Sequence, residues 1–109
     1  IYAERPLREH AVYAMSKAAL LHMTRALALE LAPQVRVNAV SPGAILWPEH
    51  SDQGVGKDPD AQAAMLARTP LGRIGTPEEI AEAVCWLLQD ARYCTGQALH
   101  VDGGRMLES

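Results

Sequence analysis

The sequence contains no phenylalanine, and its only aromatic residues are two tryptophans and three tyrosines. Nearly half of its 109 residues, 49%, are nevertheless hydrophobic. Any core must therefore consist of alanine, leucine, valine and isoleucine, which suits helices packed on a sheet. The length allows one domain at most, with a core of modest size.

Charge runs and long apolar segments are also missing. The net charge is −3 and no stretch is strongly basic, so neither nucleic acid nor an anionic membrane surface is an expected partner. No apolar run reaches the ~20 residues of a membrane-spanning helix, and no segment resembles a signal peptide. We therefore expect a cytoplasmic protein.

Patterns for metal binding, disulfides and phosphate cradles are absent as well. Cys85 and Cys94 form no CxxC motif, so free reduced thiols are expected. The histidines show neither HExxH nor any other ligand spacing, and we expect no metal site. No G-x-G-x-x-G segment follows a strand, so the phosphate-binding half of a nucleotide fold does not lie in this sequence.

A run of helix-forming residues dominates the first third of the chain. Residues 11–32 contain neither glycine nor proline, and Pro33 ends the run. Tyr13 and Lys17 are four residues apart, which places them on one helix face with Cβ atoms roughly 5–6 Å apart. In a cleft, the ammonium would lower the phenol pKa from its reference value of about 10, and the phenol could then transfer a proton near neutral pH. The alternative is a surface pair without a chemical role.

Two faces of this helix are largely apolar. Their members are Tyr13, Lys17, Leu20, Thr24, Leu27 and Leu31 on one face, and Met15, Ala18, His22, Ala26 and Leu29 on the other. A helix that is apolar on both faces is buried on both, which predicts cover from a partner subunit or from further sequence. The alternative is an amphipathic helix whose second face is merely rich in alanine. Residues 1–10 are polar and contain Pro6, so we expect them to form a loop. The lack of an initial methionine suggests a longer protein.

A short strand is expected at residues 35–40, where apolar residues alternate with Arg36 and Asn38. A helix that leads directly into a strand is typical of a parallel α/β sheet. Ligands of such sheets lie outside the carboxyl ends of the strands, where Pro42 and Gly43 follow. Pro42 lacks a backbone donor and Gly43 permits close approach, so a flat ligand could rest against this bend. An ordinary Pro-Gly turn is the alternative.

Residues 44–70 are the least regular part, and their length is typical of a lid or binding loop. Leu46 and Trp47 would form an apolar wall for a planar substrate. The alternative is that Trp47 fills the core beneath the loop. A short helix is expected at residues 60–68.

The last third of the chain begins with a strong helix-start signal. Thr76 is the expected N-cap, Pro77 occupies the first helical position, and Glu79 completes a capping box. The helix should end near Asp90, and a second strand is expected at residues 97–101. Two strands alone do not make an independently stable sheet. The predicted fold is therefore α/β, the C-terminal half of a Rossmann-like doubly wound parallel sheet, with residues 1–109 forming part of one domain.

Four segments in this order resemble the short-chain dehydrogenase/reductase family. They are Tyr13-x-x-x-Lys17, RVNAVSPG at residues 36–43, GTPEEIA at residues 75–81, and TG…VDGG at residues 95–104. The resemblance extends over almost the whole chain but covers only the C-terminal half of the family's fold. Within the family, ERPL before the helix and PGAILWPE after the strand are most similar to bacterial pteridine reductases.

This resemblance implies a subunit of a dimer or tetramer that binds NADPH, with NADH as the alternative. Tyr13 would be the proton donor, and Lys17 would bind the nicotinamide ribose and lower the pKa of Tyr13. The nicotinamide would lie against Pro42, Gly43, Ala44 and Ile45, and Leu46 and Trp47 would face the substrate.

The implied reaction is the NADPH-dependent reduction of a C=N bond in a pterin or dihydrofolate ring. The alternatives are a short-chain reductase of a ketone or 3-oxoacyl carrier-protein thioester, and an inactive fragment. Trp47 stands where many family members place a phosphate-binding threonine. The upstream catalytic serine or aspartate and the residue that selects the cofactor are absent.

Overall fold

The computed structural model describes residues 4–43 and 59–107, which contain three α-helices and a two-stranded parallel sheet. The elements are α1 (Glu4–Leu31), β1 (Ala39–Pro42), α2 (Pro59–Ala67), α3 (Pro77–Gln89), β2 (Ala98–Val101) and a 3₁₀ turn (Arg105–Leu107). This order agrees with the predicted α/β class.

Helix α1 begins well before the predicted start. Residues 4–10, which we expected to form a loop, are helical, and the helix runs from Glu4 to Leu31 without interruption. Pro6 is compatible with this arrangement because it lies in the first turn, where the backbone N–H has no partner within the helix.

Strand β1 lies later in the chain than predicted. It comprises Ala39–Pro42, whereas the alternation of apolar residues indicated residues 35–40. The expected turn residue Pro42 is therefore the last residue of the strand. The reason is that side chains replace part of the backbone ladder before Ala39: Val37 N donates to Thr95 Oγ1 over 3.1 Å.

The Asn38 side chain also takes the place of backbone hydrogen bonds, through both polar atoms of its amide. Its Oδ1 accepts from Gln97 N over 3.0 Å, and its Nδ2 donates to Cys94 O over 3.0 Å. The segment before β1 is therefore held beside residues 94–97 by side chains together with the backbone hydrogen bond from Gly96 N to Val37 O, 2.7 Å long. A pattern of apolar residues does not reveal these side-chain contacts.

The two strands pair directly and in parallel. Ala39 N donates to Gln97 O over 2.8 Å, and four residues further on both strands Gly43 N donates to Val101 O over 3.0 Å. Because the residue numbers rise together on both strands between these two bonds, the strands are parallel. Strand β2 is confirmed to within one residue of its prediction.

Helices α2 and α3 also match their predicted positions. The N-cap of α3 is Thr76, whose Oγ1 accepts from Glu79 N over 3.2 Å, while Thr76 N donates to Glu79 Oε1 over 3.0 Å. This reciprocal pair is a complete capping box. Asp90 caps the other end, as expected.

The chain divides into two compact units, one of residues 1–39 and 93–98 and the other of residues 40–92 and 99–109. In the first unit, Thr24 and Ala28 of α1 are each 4% exposed, whereas Met15 and Leu29 on the opposite face are 70% and 83% exposed. One face of α1 is thus packed within the chain, and the predicted cover of the other face stays a prediction. In the second unit, Thr69, Leu87 and Ala91 are buried.

Candidate functional site

The Tyr13–Lys17 pair lies in the first half of α1, one helical turn apart along a continuous helix. Lys17 is half-buried, in contrast to its neighbours Ser16 and Ala18, which are exposed. The phenol of Tyr13 lies outside the described part of the structure. The backbone therefore supplies the predicted spacing, and the contact between the two side chains stays a prediction.

The Pro42–Gly43 bend lies at the carboxyl end of β1, with Pro42 as the last residue of the strand and Gly43 directly after it. Pro42 is exposed, and Gly43 is tied to β2 by its N–H, which donates to Val101 O. A Cβ at Gly43 would lie 2.6 Å from Asp102 Cα and 2.7 Å from Asp102 Cβ. Real Cβ atoms do not approach other carbons so closely, so only glycine fits here. The close approach that we predicted for a ligand is made, on this side of Gly43, by Asp102.

Asp102 organises the turn that follows β2. Its Oδ1 accepts from Gly104 N over 2.9 Å, and its Oδ2 accepts from Met106 N over 3.1 Å. Gly103 and Gly104 both have positive φ angles, 63° and 89°, which explains the two glycines of VDGG. The turn packs on the loop after α2, where Leu71 N donates to Gly103 O over 3.0 Å.

A cavity of about 460 Å³ opens beside this turn, within the second unit. Its walls come from residues 69–71, the start of α3 and the end of β2; they comprise Thr69, Pro70, Leu71, Arg73, Gly75, Glu79, His100, Val101, Asp102, Gly103, Gly104 and Leu107. Sequence reasoning did not find this cavity, because its walls are distant in the chain and share no pattern.

A bidentate ion pair lies on the rim of this cavity. Arg73 Nη1 and Nη2 donate to Glu79 Oε1 and Oε2 over 2.8 and 2.7 Å. The hydrogen bond from Arg73 and the N–H of Thr76 lower the pKa of Glu79 to about 2. Glu79 was predicted only as a member of the capping box. Its ion pair with Arg73 connects the loop before α3 to the helix itself.

The comparison with known proteins identifies the family. The protein-family model described as enoyl-(acyl carrier protein) reductase matches residues 1–105 of this chain. The chain belongs to the short-chain dehydrogenase/reductase family. It is 47% identical over 98 residues to 2-(S)-hydroxypropyl-CoM dehydrogenase 3 of Xanthobacter autotrophicus, covering 86% of this chain and 38% of that protein.

Two further relatives support the same short-chain family and its fold. The chain is 44% identical over 104 residues to 3beta-hydroxysteroid dehydrogenase 1 of Eggerthella lenta, covering 94% of this chain and 39% of that protein. A structure of 4-hydroxyisoleucine dehydrogenase complexed with NADH aligns with a TM-score of 0.78 at 29% identity, over 91% of this chain and 41% of that one. The chain thus spans about two fifths of the length of these relatives. The predicted partial Rossmann-like fold is confirmed.

Only some of the predicted site residues lie in the part of the chain that the structure describes. Lys17 belongs to the first unit, and Pro42 and Gly43 belong to the second. The remaining predicted cofactor and substrate residues, Ala44, Ile45, Leu46 and Trp47, lie outside the described residues. A common cleft for all of them stays a prediction.

The described residues of this short-chain protein are compatible with a nicotinamide cofactor at the bend. Pro42 offers an exposed surface without a backbone donor. The N–H of Gly43 already donates to Val101 O, so it is not free for a ligand. A backbone donor to a nicotinamide carboxamide would therefore be a residue other than Gly43.

Residues 4–43 and 59–107 show neither a metal-binding cluster nor a helix suited to a bilayer. No cluster of three or more histidine, cysteine, aspartate or glutamate side chains is positioned there to bind a metal ion. In the same two stretches, no helix combines the length and apolar character needed to cross a bilayer. Cys85 is exposed and Cys94 half-buried, and both are free thiols.

Proposed function

We propose that this chain carries the proton-transfer pair and part of the cofactor site of a nicotinamide-dependent short-chain oxidoreductase. The observation that carries the proposal is the Tyr13–Lys17 pair, one turn apart on an uninterrupted helix in a chain whose family match extends over residues 1–105. The two curated relatives described above are named as dehydrogenases, which supports the assignment.

Each proposed role follows from the chemistry of its residue. Tyr13 donates its phenolic proton to the substrate atom that becomes negatively charged in the reaction. Lys17, one turn further along α1, stabilises the phenolate that remains and binds the ribose of the cofactor. When bound, the nicotinamide cofactor supplies the hydride.

The bend after β1 forms the wall of the proposed cofactor site. Pro42 and Gly43, together with Ala44 and Ile45, would line the nicotinamide, and Leu46 and Trp47 would face the substrate. We propose NADPH as the cofactor, with NADH as the alternative. The active protein would be a cytoplasmic dimer or tetramer, in agreement with the exposed apolar face of α1 that carries Met15 and Leu29.

The substrate that the relatives favour is a carbonyl compound or the corresponding alcohol. The two curated relatives described above are named for a hydroxypropyl and a hydroxysteroid substrate. In reduction, the carbonyl carbon receives the hydride and the oxygen receives the Tyr13 proton. A ketone or a 3-oxoacyl thioester fits this chemistry.

Reduction of a pterin or dihydrofolate is the second candidate. It rests on the segment PGAILWPE, in which Trp47 would form a flat apolar wall suited to a fused ring. Neither of the two curated relatives described above is named as a pteridine reductase. The ring carbon of the C=N bond would receive the hydride, and the adjacent nitrogen would receive the Tyr13 proton.

Replacement of Tyr13 by phenylalanine in the whole protein tests the catalytic assignment. Since positioned acid–base groups contribute typically about 10²–10⁴-fold, kcat should fall by about that factor while cofactor affinity changes little. The matched control is Tyr93→Phe, because Tyr93 is fully exposed on a loop. Equal turnover by Tyr13→Phe and the wild type would disprove the assignment.

Steady-state oxidation of NADPH and NADH distinguishes the substrate candidates. The whole protein should be assayed with a panel of ketones and 3-oxoacyl thioesters, and separately with dihydrobiopterin and dihydrofolate. Turnover of the first group alone supports a carbonyl reductase, and turnover of the second supports a pteridine reductase. Folded protein that binds cofactor but oxidises it with no substrate of either group would contradict both substrate proposals.

A further inference from the structure

We propose that Asp102 is a positioning residue for the cofactor site: its carboxylate fixes the turn that backs Gly43, and thereby fixes the Pro42–Gly43 bend. Asp102 itself touches neither the proposed cofactor nor the substrate. The inference rests on the proposed function, because it assigns a purpose to the bend as a wall of the nicotinamide site.

The first step is the attachment of the turn to the Asp102 carboxylate. Both carboxylate oxygens accept backbone N–H groups, Oδ1 from Gly104 and Oδ2 from Met106. A charged acceptor makes stronger hydrogen bonds to backbone N–H groups than a neutral one does. Gly103 and Gly104 have positive φ angles, a backbone conformation that glycine adopts readily. Backbone hydrogen bonds from Arg105 N to Asp102 O and from Leu107 N to Gly104 O add to the two that the carboxylate accepts.

The second step is the contact between this turn and the bend. The Cβ direction of Gly43 is filled by the backbone and Cβ of Asp102, with 2.6 Å between the ideal Cβ position and Asp102 Cα. The adjacent hydrogen bond from Gly43 N to Val101 O, 3.0 Å long, holds the two backbones together. Without free space between them, a displacement of the Asp102 backbone moves Gly43 as well.

The third step is the support on the opposite side of the turn. A Cβ on Gly103 would lie 2.9 Å from Thr69 Cγ2, and one on Gly104 would lie 2.9 Å from Pro70 Cγ. The turn is therefore packed between the loop after α2 and the bend after β1. Its position, which the Asp102 carboxylate sets, is transmitted to the bend through direct packing.

The test compares Asp102→Ala and Asp102→Asn with the wild type of the whole protein. Three quantities are measured: the dissociation constants of NADPH and NADH by fluorescence titration, kcat at saturating cofactor, and the midpoint of urea unfolding. Asp102→Ala loses both acceptors, so the dissociation constant of the preferred cofactor should rise about tenfold, with kcat nearly unchanged. Asp102→Asn keeps one acceptor and should give a smaller rise.

Thr76→Ala is the matched control. It also removes a side-chain acceptor of a backbone N–H, in the capping box of α3, and should therefore lower the urea midpoint. Because Thr76 does not touch the turn or the bend among the contacts described, it should leave cofactor affinity unchanged. This comparison separates a loss of cofactor positioning from a general loss of stability.

Three outcomes would overturn the inference. One is an unchanged cofactor dissociation constant in folded Asp102→Asn, with wild-type binding intact; the proposed function would then still stand. Another is an equal loss of affinity in Thr76→Ala, which would show that the effect follows stability. The last is a wild-type protein that binds neither cofactor, which would overturn the proposed function together with this inference.

Discussion

Replacement of Gly43 by alanine should destabilise the protein through a steric conflict that the structure defines. Gly43 does not have a positive φ angle, so its backbone conformation is open to alanine and the cost arises from contact. The new Cβ would lie 2.6 Å from Asp102 Cα. Carbon atoms pack at about 3.5–4.0 Å, so the two backbones must separate by about 1 Å.

That separation also breaks a hydrogen bond. A shift of about 1 Å takes the bond between Gly43 N and Val101 O, now 3.0 Å, beyond hydrogen-bonding distance. Overpacking costs about 1–3 kcal/mol and a lost hydrogen bond costs about 0.5–1.5 kcal/mol. The free energy of unfolding should therefore fall by about 1.5–4.5 kcal/mol.

Urea unfolding of the whole protein, followed by circular dichroism, measures this change. Gly72→Ala is the control, because nothing lies within 4 Å of its Cβ position and its cost is only that of a φ angle of 72° in an L residue. In an Asp102→Ala background the released turn can move aside, so Gly43→Ala should cost less there. A loss below about 0.5 kcal/mol in the wild-type background would refute the steric reasoning.

Two further predictions concern contacts outside the proposed site. The pKa of Glu79, held at about 2 by Arg73, lies below its value in the unfolded chain. The corresponding stability is therefore present above about pH 4.5 and lost as the pH falls toward 2, and Glu79→Gln should flatten that dependence in urea titrations at several pH values. Asn38→Ala should lower the free energy of unfolding by about 1–3 kcal/mol, because two hydrogen bonds are lost. One runs from Gln97 N to the Asn38 side chain and the other from that side chain to Cys94 O. Gln97→Ala, the control, keeps its backbone bond to Asn38 and should change little; equal losses in both variants would contradict the bridging role.

The best predicted element was α3, and the reason is that its signals are local. Thr76, Pro77 and Glu79 act on one another across three residues, so their spacing in the sequence is also their spacing in the helix. The positions of α2 and β2 were predicted for similar reasons. Family membership rested on short segments of the same kind, and the match over residues 1–105 confirms it.

The errors occurred where a distant part of the chain decides the local structure. Strand β1 was placed too early because a strand is defined by its partner: Asn38 binds residues 94 and 97 with its side chain, and the strand itself begins at Ala39. The start of α1 was wrong because Pro6 was treated as the mark of a loop, although a first-turn proline is compatible with a helix.

The contacts of individual residues were also unpredictable where they depend on distant parts of the chain. Gly43 was expected to make room for a ligand, and the structure shows that Asp102 occupies the space beside it. No sequence pattern distinguishes Arg73, Glu79 and Asp102 from ordinary surface charges. Their ion pair and hydrogen bonds are therefore visible only in the structure.

The amino-acid sequence alone determined the helical capping signals, the apolar periodicities, the one-turn spacing of Tyr13 and Lys17, and the family to which the chain belongs. These properties depend on residues that are close together in the chain or on motifs of a few positions. Tertiary structure alone decided where β1 begins, why position 43 must be glycine, and what Asp102 and Arg73 contact. Those outcomes depend on backbones and side chains brought together from distant segments, where packing leaves no free space and each polar group binds the partner that folding places beside it.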